Sequence, residues 1–162
     1  MYRVCFVCTG NICRSPMAES VFRAQVAEAG LSDRIEVDSA GTGGWHEGDG
    51  ADPRAASVLA AAGYEQDHRA RRFRASWFEH LDLVIALDAE HLRDLRAMAP
   101  APEDVAKIRL LRSYDPAAGP DLDVPDPYYG PQDGFEECLE LVEAAGPGLL
   151  AAVRTALKEH TA

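Results

Sequence analysis

The sequence predicts an α/β fold: one three-layer domain built on a central four-stranded parallel sheet with helices on both faces. Three observations lead there. Four short apolar runs, at 2–7, 35–38, 82–87 and 107–111, have strand length and strand composition. Helical patterns separate them, and strands that alternate with helices imply a parallel sheet covered on both sides. Finally, 162 residues with 47% hydrophobic content are enough to bury a sizeable core without staples.

Each element has its own signal. Residues 2–7 are short, apolar and rich in Val, Phe and Tyr, as a buried strand should be. A glycine-containing loop follows at 8–14. Ser15-Pro16 then reads as an N-cap and first helical residue. Met17, Val21, Phe22 and Val26 form the apolar stripe of a helix over 16–29, and Gly30 is placed to end it. Ile35-Glu36-Val37-Asp38 is the second strand, and a glycine-rich loop at 39–51 holds Trp45 and His46. Asp52-Pro53 repeats the cap-plus-proline signature and opens a helix to about Ala62, closed by Gly63. Asp82 to Leu87 is the clearest internal strand. A helix over about 89–97 and a last strand at 107–111 come next. Residues 113–134 are rich in Pro, Asp and Gly and form a long loop, a length usually tied to function or disorder. A final helix spans about 135–158, with a possible break at Gly146-Pro147-Gly148. No internal repeat, low-complexity tract or domain boundary is visible.

Composition narrows the function. Sixteen basic against 27 acidic residues give a net charge of −11. That balance opposes general nucleic-acid binding and attraction to anionic membranes. An anionic ligand must be held by a strong local site against the overall field. No stretch reaches the length of a membrane span, and the N-terminal apolar run is too short for a signal peptide, so a cytoplasmic location is expected. Four cysteines, Cys5, Cys8, Cys13 and Cys138, suggest no disulfide framework.

The decisive segment is Cys8-Thr9-Gly10-Asn11-Ile12-Cys13-Arg14-Ser15. A strand delivers Cys8 to the carboxyl end of the sheet, where ligands of such folds bind. A curved loop turns backbone amides inward as an anion nest, and a helix N-terminus adds partial positive charge. Arg14 contributes a planar, permanently charged fork suited to phosphate oxygens. On this reading the segment is a phosphate-binding loop after the first strand, with a thiol at its centre. Cysteines in comparable settings have pKa values of roughly 3.5–7.5 rather than about 8.5, and the thiolate is a ready nucleophile. Thr9 or Ser15 hydroxyls would stabilise it. Three other readings compete. Cys8 could be an ordinary buried cysteine beside a turn glycine, but the preceding strand and the Ser-Pro helix start weigh against that. A nucleotide P-loop needs Gly-Lys-Ser/Thr where this chain has Cys-Arg-Ser. A zinc site could use Cys8 and Cys13, but no second Cys/His pair stands at usual spacing.

The segment from Val7 to Glu19 resembles the signature of the low-molecular-weight protein tyrosine phosphatases. The likeness continues at Ser39-Ala40-Gly41-Thr42 through Trp45, at Asp52-Pro53-Arg54-Ala55, at Asp67-His68-Arg69-Ala70, at Ser113-Tyr114-Asp115-Pro116 and at Asp126-Pro127-Tyr128-Tyr129-Gly130. These matches keep family order and cover almost the whole chain. The resemblance implies hydrolysis of phosphotyrosine and aryl phosphate monoesters through a phosphocysteine on Cys8. Arg14 would bind phosphate and the transition state, with Thr9, Gly10, Asn11, Ile12, Cys13 and Ser15 around it. It implies no metal and no cofactor.

Expelling a tyrosine oxygen needs a proton donor. Asp121, Asp123, Asp126 and Asp133 all lie in the late loop, and composition does not choose among them. Asp126 sits between Pro125 and Pro127, which stiffen the backbone. The resemblance selects Asp126 as general acid, then base. It also implies that Trp45 and the pair Tyr128 and Tyr129 wall the site around an aryl ring, with His46 on the rim. Asn11 would brace the loop by bonding Ser15, Ser39 and His68 side chains, although His68 alone reads as an exposed helix-end residue. Cys13 would form a reversible disulfide with Cys8. The expected partners are a phosphotyrosine-containing protein and, in the site, inorganic phosphate or another oxyanion. A monomer is expected. Arsenate reductase of the same fold is the nearest rival, but apart from strand residue Cys5 only Cys138, inside a predicted helix, is left to relay a disulfide. A non-catalytic phosphate-binding module is a further class, opposed by the joint presence of Cys8, Arg14 and Asp126.

Overall fold

A computed structural model describes residues 1–161. Its sheet contains β1 (Tyr2–Cys8), β2 (Ile35–Gly41), β3 (Leu83–Ala86) and β4 (Ile108–Leu110), all parallel, in the order β2-β1-β3-β4. The helices are α1 (Arg14–Glu28), α2 (Pro53–Ala61), α3 (Ala89–Met98), the short α4 (Pro102–Val105) and α5 (Asp133–Thr161). Two 3₁₀ turns, at Ala75–Glu79 and Leu111–Tyr114, and α4 were not among the expected elements, and Leu111, expected to end the last strand, opens the second turn.

Strand periodicity builds the layers. Along β1, Val4, Phe6 and Cys8 face one core, while Cys5 and Val7 face another. In β3, Leu83 and Ile85 join the first, Val84 and Ala86 the second. The larger core is closed by α1, α2 and α5 through Met17, Leu59 and Val142 among others. The smaller is closed by Phe73, Phe78 and, from α3, Leu95. Both faces of the sheet are therefore covered, and the predicted three-layer architecture holds.

The register aligns Cys8 with Gly41 and Val7 with Ala86. From β1 the chain first adds β2 on one side and later β3 on the other. This reversal opens a crevice beyond the carboxyl ends of β1 and β3, the usual ligand site of such sheets.

The helix ends follow the predicted chemistry. After α1, Gly30 takes φ +74, its amide bonding Ala27 O and the Leu31 amide bonding Val26 O. After α2, Gly63 takes φ +86 with the same paired bonds, to Ala60 O and Leu59 O. Both are Schellman closures. Asp52 caps α2 as expected, accepting from Arg54 N at 2.8 Å with Pro53 behind it.

Two expectations fail. Ser15 is not the cap of α1; the helix begins two residues earlier than expected, at Arg14, with Cys13 at the cap position and no side-chain bond there. The Ser15 hydroxyl is used inside the site instead. Nor does α5 break at Gly146-Pro147-Gly148; Pro147 lies within one helix. These glycines serve packing. A Cβ on Gly148 would stand 2.0 Å from the Tyr114 carbonyl oxygen, and one on Gly146 would stand 1.9 Å from Gln25 Oε1. The notch lets α5 lie against α1 and the Leu111–Tyr114 turn.

Alanine normally stabilises a helix interior over glycine by about 1 kcal/mol. Gly148→Ala should do the reverse here, lowering stability by about 1–3 kcal/mol through overpacking against backbone. A urea midpoint equal to or above the parent's would contradict the notch.

Candidate functional site

The segment after β1 curls back on itself because Asn11 adopts φ 57, a left-handed conformation that asparagine tolerates better than most residues. Asn11 is fully buried, and its amide is fully used. Oδ1 accepts from Arg71 N at 2.8 Å, and Nδ2 donates to Ser15 Oγ at 2.8 Å and to Ser39 Oγ at 3.0 Å. Ser39 in turn donates to Glu19 at 2.5 Å, and Arg23 closes the far end of that chain on Glu19 at 2.6 Å. Ser15 and Ser39 are thus the two hydroxyls that the Asn11 amide reaches. His68 differs: its Nε2 meets the Asn11 backbone carbonyl at 2.5 Å, because the side-chain amide is already taken.

Gly41 makes room for the curl. A Cβ there would lie 2.7 Å from Thr9 O and 3.1 Å from Asn11 N. Its neighbours Thr42 and Gly43 donate their amides to Cys8 O and Thr9 O, fastening the start of the loop.

The Cys8 sulfur stands 2.9 Å from Ser15 Oγ. Ser15 Oγ already accepts from Asn11, so its single proton is free for the sulfur or for Ala40 O, which is farther at 3.4 Å. The geometry favours O–H···S, a bond that stabilises negative charge on sulfur. The amino-terminal end of α1 adds its dipole beside it.

Arg14 is buried in the crevice between β1 and β3. Its Nη1 donates to Asp88 Oδ2 at 2.8 Å and to Val124 O at 2.9 Å. Nη2 lies 3.8 Å from Asp126 Oδ2 and 3.5 Å from His91 Nε2. Burial acts against the cation, but Cys8, the Asp88 bond and Asp126 outweigh it and raise its pKa further. Asp88 caps α3 by accepting from His91 N at 2.9 Å. Burial would protonate it, yet the His91 amide and Arg14 hold it below the usual carboxylate range. Val124 is fully buried and also donates to Leu87 O at 2.8 Å, so the late loop is pinned beside the arginine.

His91 completes this floor. Its Nε2 is 2.7 Å from Thr9 Oγ1. Its Nδ1 stands 3.0 Å from Asp88 Oδ1, within ion-pair distance but off the line of a ring N–H bond.

A cleft of about 330 Å³ opens above these groups. Cys8, Thr9, Gly10, Ile12, Cys13 and Arg14 form its base. Trp45, His46, Tyr128 and Tyr129 form the sides, with Asp126 among them. Trp45 and Tyr129 are largely exposed, so the aromatic walls stand open to solvent. Of the four late-loop aspartates, Asp126 alone lines the cleft. Asp123 is committed to the Ala89 amide at 2.8 Å, and Asp121 to the Asp123 amide at 3.0 Å. Cys13 is free and buried at the base, and its thiol pKa is pushed well up by burial, then by Asp52, Cys8 and Asp126. Cys138 is also free and buried, its thiol raised to about 12 mainly by burial. Among the described residues no cluster of three or more His, Cys, Asp or Glu side chains is placed to hold a metal ion, and no helix is long and apolar enough to cross a membrane.

Asp88, His91, Val124, Arg71 and Glu19 had no assigned role in the sequence reading. One signal pointed to Asp88: it follows the clearest internal strand, at the sheet end where ligands bind.

Comparisons with known proteins agree with one another. The profile of the family described as "Low molecular weight phosphotyrosine protein phosphatase" matches residues 3–160. The chain is 71% identical over 162 residues to the low molecular weight protein-tyrosine-phosphatase of Streptomyces coelicolor, covering 99% of each chain. It is 53% identical over 149 residues to low molecular weight protein-tyrosine phosphatase A of Mycobacterium tuberculosis, covering 90% of this chain and 88% of that one. A crystal structure of a protein tyrosine phosphatase from Entamoeba histolytica, with HEPES in the active site, superposes with a TM-score of 0.92 at 33% identity, covering 96% of this chain and 99% of that one.

The buried histidine gives a pH signature. Burial, then the Arg14 charge, lowers the His91 pKa from 6.5 to about 4, against the opposing pull of Asp88, Asp94 and Asp126. Between those values the unfolded chain binds a proton that the folded protein refuses, so stability falls as pH drops through this window. At 1.36 kcal/mol per unit the loss is about 3 kcal/mol. In His91→Asn the fall in urea-unfolding free energy from pH 7 to pH 4.5 should shrink; an unchanged fall would place its origin elsewhere.

Proposed function

The chain belongs to the low molecular weight phosphotyrosine protein phosphatase family, and from this premise we propose that it hydrolyses phosphotyrosine with Cys8 as nucleophile, Arg14 as phosphate holder and Asp126 as general acid and base. The carrying observation is that these three residues, 118 positions apart at the extremes, line one cleft around a sulfur bonded to Ser15.

The reaction runs in two displacements. In the first, the Cys8 thiolate attacks phosphorus, an S–P bond forms and the P–O bond to tyrosine breaks. Asp126 gives its proton to the leaving phenolic oxygen. In the second, water attacks the phosphocysteine, Asp126 takes a proton from it, and S–P cleavage releases inorganic phosphate and the thiolate. Arg14 makes its bonds to Asp88 and Val124 through Nη1, which leaves the Nε edge of the fork for phosphate oxygens. The Thr9–Cys13 backbone amides and the start of α1 supply the remaining positive field.

Ile12 at the base and the Trp45, Tyr128 and Tyr129 rings at the sides suit a flat aryl ester. Serine phosphate, on a shorter stem, would leave those walls uncovered. The sulfonate buffer in the active site of the Entamoeba relative is consistent with an oxyanion site here. Asn11, Ser39 and His68 act as braces for the loop. The expected disposition is one catalytic domain, acting as a monomer in the cytoplasm on a phosphotyrosine-containing protein, without metal or cofactor. Arsenate reduction is disfavoured because Cys138, the one candidate relay thiol in a helix, is sealed within α5.

Cys13 supports reversible redox control. It lines the same cleft as Cys8, and both thiols are free. An oxidised Cys8 would be captured by Cys13 as a disulfide and protected from over-oxidation.

Cys8→Ser should abolish hydrolysis of p-nitrophenyl phosphate while phosphate binding remains measurable, and Asp126→Ala should slow phosphotyrosine turnover by about 10²–10⁴-fold. Full activity in either variant would refute these roles. After peroxide treatment, thiol should restore the parent enzyme but not Cys13→Ser; equal recovery would remove the protective disulfide.

A further inference from the structure

The proposed chemistry needs two loops to meet: the one carrying Cys8 and the one carrying Asp126. Asp126 itself is lightly held. Its side chain is 40% exposed, Oδ2 stands 3.8 Å from Arg14 Nη2, and Oδ1 accepts from Tyr128 N at 3.1 Å. The position of the carboxyl therefore follows the backbone at Tyr128.

That backbone is gripped by Arg54. Its Nη2 donates to the Tyr128 carbonyl at 2.9 Å. The guanidinium carbon lies 5.4 Å from the Tyr128 ring centroid and 4.6 Å from that of Phe135, near the start of α5. The fork is fixed from the other side by Asp52, which accepts from Nε on Oδ1 and from Nη2 on Oδ2, each at 3.1 Å. Burial disfavours charge on Asp52, but the Arg54 side-chain and backbone bonds hold its pKa below the ordinary value. Asp52 also donates its own amide to Ile12 O at 2.8 Å, inside the Cys8 loop. Bonds thus run without a gap from Ile12 through Asp52, Arg54 and Tyr128 to Asp126.

We propose that Arg54 is a positioning residue for the general acid, and that the Asp52–Arg54 clasp sets where Asp126 stands relative to Cys8. The inference rests on the phosphatase reading above. Arg54 does not line the cleft, so it acts through Tyr128 rather than on substrate. The clasp requires a planar fork that bonds a carboxylate on one edge, a carbonyl on another and two rings by its faces; a lysine ammonium cannot do all of these.

A misplaced acid matters most when the leaving group is poor. In Arg54→Ala, kcat/KM on phenyl phosphate and phosphotyrosine should fall on the order of tenfold or more, while p-nitrophenyl phosphate, with its better leaving group, is affected much less. Arg54→Lys should resemble Arg54→Ala. In an Asp126→Asn background, Arg54→Ala should cost no more than about twofold, because two changes acting on one step do not add. An equal fall on all three substrates, or an undiminished fall in the Asp126→Asn background, would overturn the proposal. Amide exchange at Tyr128 gives a readout free of catalysis. It should quicken in Arg54→Ala and Arg54→Gln by more than at the amides of β1 in the same samples, and Arg54→Lys serves if the neutral variants fail to fold. Unchanged Tyr128 protection sinks the clasp whatever the activity. A parent protein inactive on every aryl phosphate sinks the phosphatase reading instead.

Discussion

Asn11 is the constraint on which the site is built. It holds a left-handed backbone at the turning point of the loop and spends every polar atom of its side chain on a different part of the fold. Arg71 N, Ser39 and Ser15 converge on one amide from three segments. A buried amide left unpaired costs about 1–3 kcal/mol per group, so the loop can be satisfied only in the curled form. Once curled, it places the Cys8 sulfur against Ser15 and brings Arg14 into the crevice. Exposed Arg23 reaches this point through buried Glu19 and Ser39, which join the exterior of α1 to the core of the site.

The electrostatics are local rather than global. A chain of net charge −11 binds an anion, in the proposed reading, because its acidic groups are mostly exposed and screened beyond about 10 Å. The site has one buried guanidinium at its centre. Asp88 pairs with it at 2.8 Å yet does not occupy the whole fork. Buried ion pairs add little net stability once desolvation is counted, and their value lies in fixing geometry. Here the pair fixes Arg14 between two strand ends, while neutral His91 fills the remaining space without adding a competing positive charge.

Much of this was legible in the chain because its signals are local. The Schellman glycines Gly30 and Gly63, the Asp52-Pro53 start and the strand–loop–helix around Cys8 are written in neighbouring residues. Their structural outcomes follow from short-range sterics and capping. Ser15 shows the limit of such signals: a hydroxyl before proline is a cap by default, but a sulfur 2.9 Å away and a buried amide compete for it. Gly146 and Gly148 show the same limit, since glycine beside proline signals a break unless a distant carbonyl needs the space. The contacts of Arg14 with Asp88 and Val124 join residues 74 and 110 positions apart, and no periodicity encodes that. His91 was invisible for the same reason, being one histidine on a helix until the fold sets it under Thr9. The choice of Asp126 among four loop aspartates came from likeness to a family, and in the structure the backbone draws Asp121 and Asp123 into turn and cap bonds.

The fully buried Val124 divides the segment between the Leu111–Tyr114 turn and α5 into two spans of unlike freedom. Residues 115–120 form a bow bonded within itself at Asp115, which accepts from the Ala117 and Ala118 amides; Arg112 and the Ala89 amide hold 121 and 123 beyond it, and 125–132 form a short tether carrying the carboxyl. Loop length is thermodynamically cheap where nothing is positioned, because closure entropy grows only with its logarithm. Extra residues can therefore accumulate in the bow, ahead of Asp121, with little cost. One added after it would move the proton donor by a few ångströms, the rise of a single extended residue. Variation in size is channelled to one side of a single valine.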